Sequence, residues 1–426
     1  MRVRKEDLRL GMYIQSLDGS WFDHPFWKTK FLLSEQDDLR ALQSSEVEAV
    51  WIDEDKSLAP AIAHLVPQAP APTPSPAAAL REELAAKPKA PSARPGGEKA
   101  SRQPFVDHNA YRAAEKLVAD CKAAVVDLLA RVHEGDGGAL DEAAPVVSGI
   151  AESVARNSDA FLTLVRVRTL DEYSYMHSIA VSALMINLAR ELTLPPDYIR
   201  QAGTAGLFMD VGKAFLPPVL LSKRDDYTET DRAQMQRHPS LGGDAVKASG
   251  ELSKIVADVC LHHHERWDGS GYPFGLKGDE ISLFARMAAI CDMYDALCSV
   301  RPHRPARGPA DAVAEMYRLK GQLDESLLTT FIRSIGVYPS GSLVRLESRL
   351  LACVVAQRQD HLTRPVVRPF YSIPHGTRVA VYEMDLAEEP QPDRIVSRED
   401  PRRWGFADWD NEALAIIQGQ KAKRAA

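Results

Sequence analysis

Residues 261–304 read LHHHERWDGSGYPFGLKGDEISLFARMAAICDMYDALCSVRPHR, with three consecutive histidines, a glycine-rich turn, two aspartates three positions apart and an arginine-bearing exit. Neutral imidazoles and carboxylates hold divalent iron, manganese or zinc near neutral pH, and His263, His264 and Asp292 are of that type. Arginines add charge that pairs with phosphate oxygens. The combination predicts a metal site that handles phosphate. A capping or surface role for the histidine run is the plainer reading, but it leaves the adjoining Asp268-Gly-Ser-Gly-Tyr-Pro run unexplained. Asp292 and Asp295 share one face of any helix that carries both, so they suit adjacent roles.

Outward from this stretch, three more runs carry the same residue types: DEYSYMHSIAVSAL (171–184) around His177, AGLFMDVGK (205–213) around Asp210, and RHPSLGGDAV (237–246) around His238. Together the four resemble HD-GYP domains, bacterial relatives of the HD metal phosphohydrolases. That family is named for a His-Asp pair and for the Gly-Tyr-Pro found here at Gly271, Tyr272 and Pro273. The resemblance covers most of the chain and implies a ligand set. Asp210 would bridge two cations, with His177 and Asp292 belonging to one and His238, His263 and His264 to the other. Paired cations of this kind neutralise charge on a phosphoryl group during hydrolysis.

The resemblance also implies that Asp210 and Lys213 are the catalytic residues, with Lys213 approaching a phosphate oxygen whose charge grows during displacement. Tyr272, Asp295, Arg301 and Arg304 join Lys213 as substrate contacts, Asp295 lying beside the metal ligand Asp292. Glu265 and Asp268 are expected to orient histidine N–H groups behind the ligands. The implied activity is hydrolysis of cyclic di-GMP to pGpG or GMP, with one or two divalent ions, iron or manganese, as cofactor. GGDEF-type diguanylate cyclase domains are the implied protein partners, and Tyr272 is open to either a ligand or a partner role.

One position departs from the pattern. Met209 stands where the histidine of the His-Asp pair belongs, and a soft thioether competes poorly for iron(II), manganese or magnesium. The cation held by His177 and Asp292 loses an imidazole, whereas the set around His238, His263 and His264 is complete. Tyr173, one helical turn before His177, is a poor ligand where some relatives carry a glutamate, so no third ion is expected. Two functions follow: a phosphodiesterase weakened by Met209, or a catalytically inactive domain acting as a cyclic di-GMP receptor or protein-interaction module.

The whole chain sets wider bounds. With 426 residues, 45% of them hydrophobic and 26% charged, it can bury a sizeable core in two or three units. A net charge of -7 gives no reason to expect a nucleic-acid or anionic-membrane surface. No apolar run approaches the length of a membrane span and no signal-peptide core follows the charged start, so the expected location is the cytoplasm. Cys121, Cys260, Cys291, Cys298 and Cys353 form no C-x-x-C pair and are expected as reduced thiols.

Residues 1–60 alternate short β-rich runs (Met12–Ser16, Lys30–Ser34, Ala49–Asp53) with one amphipathic helix near Glu35–Ser45, predicting a small α+β module. Its stretch LRLGMYIQSLDGSWFDHPFWKTKFLLS resembles the uncharacterised domain that often precedes HD-GYP domains. Trp21, Phe22, Phe26 and Trp27 are read as packing residues in preference to a partner-binding surface. Residues 61–105, with QAPAPTPSPAAAL and AAKPKAPSARPGGEKASRQP, are a proline-broken linker. Residues 106–346 have helical periodicity almost throughout, so the fold class is mainly α: an all-helical HD-type domain. Residues 347–426 are expected as a short β-containing appendage and a charged tail, poorly ordered at its end.

Overall fold

The computed structural model describes residues 2–17, 31–33, 36–44, 49–53, 106–134, 136, 138–167, 173–223, 225–248, 254–299, 306–319, 321–358 and 360–419. It divides into two units, Met1–Ser75 and Pro76–Ala426. The proline-rich linker, Trp21, Phe22, Phe26, Trp27, Arg301 and Arg304 lie outside the described residues.

The first unit is an antiparallel sheet of β1 (Arg2–Arg4), β2 (Tyr13–Leu17), β3 (Phe31–Leu32) and β4 (Ala49–Asp53) in the order β1-β4-β2-β3, with α1 (Gln36–Ser44) between β3 and β4 in sequence. The period of two along β4 puts Val50 and Ile52 inside and leaves Trp51 exposed. These residues join Val3, Ile14, Leu33, Leu39 and Leu42 in one small core.

Among the described residues the second unit begins with ten helices of seven residues or more: α2 (His108–His133), α3 (Ala144–Arg166), α4 (Tyr173–Glu191), α5 (Pro196–Phe208), α6 (Glu229–Met235), α7 (His238–Ala248), α8 (Lys254–His262), α9 (Leu283–Cys298), α10 (Pro309–Arg318) and α11 (Glu325–Ile335). Local chemistry sets their starts. Asp107 accepts from the Asn109 and Ala110 N–H groups, Thr228 and Asp231 form a capping box, Ser282 caps α9 and Asp324 caps α11. α4 is buried on every side from Met176 to Ala189, which makes it the central helix of the bundle. Within α3, Asn157 leaves helical geometry and its Oδ1 accepts from the Ala160 N–H at 3.0 Å, so it restarts the helix as an internal cap.

After α11 come β5 (Leu343–Leu346), β6 (Leu350–Ala356), β7 (Val366–Ser372), β8 (Thr377–Arg378), β9 (Met384–Asp385), β10 (Ile395–Arg398) and a last helix, α12 (Trp409–Ile417). The strands form one antiparallel sheet in the order β10-β5-β6-β7-β8, with β9 on β7. The sheet runs from Leu343 to Arg398. The charged tail is packed as far as α12: Trp409, Ile416 and Ile417 are buried, and the Trp409 indole donates to the Gly341 carbonyl at 2.7 Å. Arg368 caps the helix by donating to the Ile416 and Ile417 carbonyls, each at 2.8 Å. Charged residues on the outer face hid these inward-facing apolar positions. Residues 420–426 lie outside the described residues.

Arg166, buried at the end of α3, binds the sheet to the helices. Its guanidinium donates to the Ser340 carbonyl at 3.1 Å and to Asp410 at 3.3 Å. Beside it lies a cavity of about 30 Å³ bordered by Asp159, Tyr294, Asp295, Cys298 and Ser340, room for one or two waters. Desolvation at this seam pushes the Asp159 carboxyl up to about 6, against a hydrogen bond received from the Gln357 N–H. A carboxyl raised on folding stabilises the protein fully below its unfolded pKa, and that contribution is lost as the pH rises through the folded value. The stability difference between wild type and Asp159→Asn is therefore expected to shift against wild type by about 1–2 kcal/mol between about pH 4 and 7, checked by thermal melts across that range.

Candidate metal centre

Six segments bring the site together. His177 comes from α4, Asp210 from the end of α5, Lys213 from the 3₁₀ turn Val211–Phe215, His238 from the first residue of α7, His263 and His264 from just beyond α8, and Asp292 and Asp295 from α9. Asp210, His238, His263 and His264 each place one ligand atom so that all four atoms lie within 4.8 Å of one another. His177 Nε2 stands 3.3 Å from Asp210 Oδ2 and 3.2 Å from Asp292 Oδ1. Asp210 thus faces both groups, His177 with Asp292 on one side and the three other histidines on the other.

Hydrogen bonding shows that these atoms suit a cation. His238 Nδ1 lies 2.7 Å from the Met235 carbonyl and His263 Nδ1 lies 3.0 Å from the Val259 carbonyl. A carbonyl only accepts, so both Nδ1 atoms carry the proton and both Nε2 atoms present lone pairs. Those two Nε2 atoms are 3.3 Å apart, and each is within 3.6 Å of Asp210 Oδ1. Asp210 Oδ1 and His264 Nδ1 are buried without a hydrogen-bond partner. Acceptors crowded around one point, with no proton between them, require a positive charge there.

The electrostatics favour the ligand forms. Burial alone would raise the Asp210 carboxyl, but the Lys213 ammonium, 2.6 Å away, holds it well below the usual carboxylate range. Burial holds His238 and His264 below the usual histidine value, with neighbouring histidines adding to the shift, so both stay neutral. Met209, at the C-cap of α5, is 1% exposed and contributes no nitrogen or oxygen ligand.

Two sequence readings change. Asp295 does not face outward as a substrate contact: it is 4% exposed and its Oδ2 lies 2.6 Å from His177 Nδ1. The i, i+3 spacing does put Asp292 and Asp295 on one face, but they address opposite nitrogens of one imidazole. Glu265 and Asp268 do not orient histidines. The Glu265 carboxylate, 1% exposed, accepts from the Phe274 and Leu276 N–H groups at 2.8 and 3.0 Å, and Asp268 accepts from the Ser270 N–H and hydroxyl.

Glu265 therefore pins the far end of the Gly-Tyr-Pro turn, and Gly271 lets its near end lie flat. A Cβ on Gly271 would meet the Arg266 nitrogen at 2.4 Å and the His264 carbonyl oxygen at 2.5 Å, so the turn rests directly on the backbone that carries the histidines. Tyr272 consequently stacks on His264, with centroids 4.7 Å apart and planes 24° apart. Glu265→Ala takes the charged acceptor away from the Phe274 and Leu276 N–H groups. It is expected to lower stability by about 2 kcal/mol and to loosen the Tyr272 stack, read by thermal melting and tyrosine fluorescence. Sequence reasoning also missed Ser299, whose hydroxyl donates to the Asp295 carbonyl; its i, i+4 spacing from Asp295 was the available signal.

Residues 149–327 match the HD domain family, and residues 1–143 match a domain of unknown function, DUF3391. A cyclic di-GMP phosphodiesterase of Pseudomonas aeruginosa is 41% identical over 417 residues, covering 96% of this chain and 94% of that protein. The chain belongs to the HD-GYP family. Shorter matches include the cyclic di-GMP phosphodiesterase response regulator RpfG of Xanthomonas campestris, 38% identical over 32% of this chain and 36% of the relative. Another is a 3'3'-cGAMP-specific phosphodiesterase of Vibrio cholerae, 32% identical over 42% of each chain. Among solved structures, an HDG"Y"P protein from Bdellovibrio bacteriovorus overlaps 78% of this HD-GYP chain and 97% of its own at 16% identity, with a TM-score of 0.46. Among the described residues no helix is long and apolar enough to cross a membrane.

Proposed function

We propose that this protein is a metal-dependent cyclic di-GMP phosphodiesterase of the HD-GYP type that releases pGpG or GMP. The observation that carries the reading is the convergence of the His238 and His263 lone pairs on Asp210, with His264 completing the group. The extended identity to the Pseudomonas aeruginosa phosphodiesterase supports the substrate. His238, His263, His264 and Asp210 would hold one divalent ion, iron or manganese, and His177, Asp292 and Asp210 a second. A bound ion of this kind supplies Lewis acidity toward a phosphoryl oxygen and lowers the pKa of water.

The chain's own residues do the rest. Lys213 keeps a positive charge beside Asp210, where it offsets charge growing on a phosphoryl oxygen. The Met235 and Val259 carbonyls hold the imidazole tautomers so that no proton has to move before an ion binds. Tyr272, kept as a phenol by burial, offers a ring and a hydroxyl at the edge of the site. Arg301 and Arg304 are proposed as cations for the second phosphate, and GGDEF-type cyclase domains as protein partners.

Met209 favours a second reading, a cyclic di-GMP receptor without turnover, because the His177 and Asp292 group has one imidazole in place of two. Metal stoichiometry on anaerobically purified protein, with cyclic di-GMP turnover under iron(II) and manganese(II), separates the two. Two ions with steady product release establish the enzyme. One ion with tight dinucleotide binding and no product establishes the receptor. Under the first reading, Met209→His is expected to raise metal content and turnover together by about 10-fold or more, and an unchanged rate would show that the methionine is not limiting.

A further inference from the structure

The carboxylate of Asp295 is closed off from solvent on α9, with its Oδ2 2.6 Å from His177 Nδ1 and the Ser299 hydroxyl on its own carbonyl. A carboxylate accepts, so Nδ1 donates the proton and the lone pair of the ring is left on Nε2. That Nε2 faces Asp292 Oδ1 and Asp210 Oδ2 at 3.2 and 3.3 Å. If the ring were flipped, or the proton lay on Nε2, it would bond one of these carboxylates and occupy the place a cation needs.

We infer that Asp295 is a positioning residue for the cation site: it fixes the tautomer and rotation of His177, and so decides whether the side of the site weakened by Met209 can hold an ion. The inference rests on the metal-dependent reading above. His177 is the single imidazole of its group, so nothing else there compensates for a wrongly protonated ring. His238 and His263 obtain the same service from main-chain carbonyls, which mutation of a side chain cannot remove. Of these three, His177 alone depends on a side chain for it. A carboxylate also raises the basicity of the imidazole it binds, more than a carbonyl does.

The test uses full-length protein stripped of metal. Imidazole ¹⁵N spectra, with His177 assigned by its loss in His177→Gln, are expected to show the proton on Nδ1 in wild type and a populated Nε2-protonated form in Asp295→Asn. Titration with manganese(II) alone is expected to give an affinity about 10- to 100-fold lower in Asp295→Asn, and no further loss when Asp295→Asn is added to His177→Gln. An Nε2-protonated His177 in wild type overturns the inference, even if the variant does not fold. So does an equal manganese(II) loss in the His177→Gln background, or a higher KM for cyclic di-GMP with metal affinity unchanged, which a substrate contact would give. A lower melting temperature with tautomer and affinity intact marks a merely structural role and also overturns it. Failure of wild type to bind manganese(II) or iron(II) sinks the metal-dependent reading instead, while the metal-free spectra still decide the role of Asp295.

Discussion

Asp210→Asn is expected to purify without bound divalent cation and to turn over cyclic di-GMP at least about 100-fold more slowly than wild type, more than loss of a residue that only supports a ligand would cost. Asp210 faces both groups, with His177 at Oδ2 and His238 and His263 at Oδ1. An asparagine keeps the volume and loses the charge, and it turns one oxygen into an N–H donor aimed at imidazoles that have lone pairs to accept it. The amide would satisfy the cluster without an ion. Metal analysis and product release by chromatography measure the two effects, and full metal content in the variant would show that the site is misassigned.

The second large effect is expected from a residue with no side chain. A Cβ on Gly212 would lie 1.9 Å from the His238 carbonyl oxygen and 2.5 Å from the Gly242 nitrogen, both main-chain atoms that cannot rotate away. The 3₁₀ turn carrying Lys213 and the first turn of α7 meet there. Gly212→Ala must push them apart, at a cost of about 3 kcal/mol, the upper end of what overpacking usually takes. Because His238 moves with α7, metal affinity should fall together with melting temperature. A variant that melts as wild type does and binds manganese(II) as tightly would contradict the close approach.

Much of the site was legible before any coordinates. His177, Asp210, His238, His263, His264 and Asp292 could be named because each stands in a motif that resembles the HD-GYP signature. The structure brings all six to one place. What misled was direction. Asp295 and Glu265 sit among ligands in sequence, which suggested substrate and histidine contacts, but one lies behind a ring and the other beneath a loop. In the C-terminal segment Trp409, Ile416 and Ile417 face inward beneath a charged outer side, so charge density there says little about packing.

The sequence by itself determined the family, the mainly helical class, the small α+β unit at the start and the types of side chain that gather at the site, because periodicity and residue chemistry are local properties. It also exposed Met209 in place of a histidine. Only the tertiary structure decided which nitrogen of each histidine is committed to a hydrogen bond, that Asp292 and Asp295 grip opposite edges of His177, and that Gly212 and Gly271 are points of main-chain contact. The His177–Asp295 contact joins residues 118 apart in the chain, and contacts of that kind arise only when helices pack.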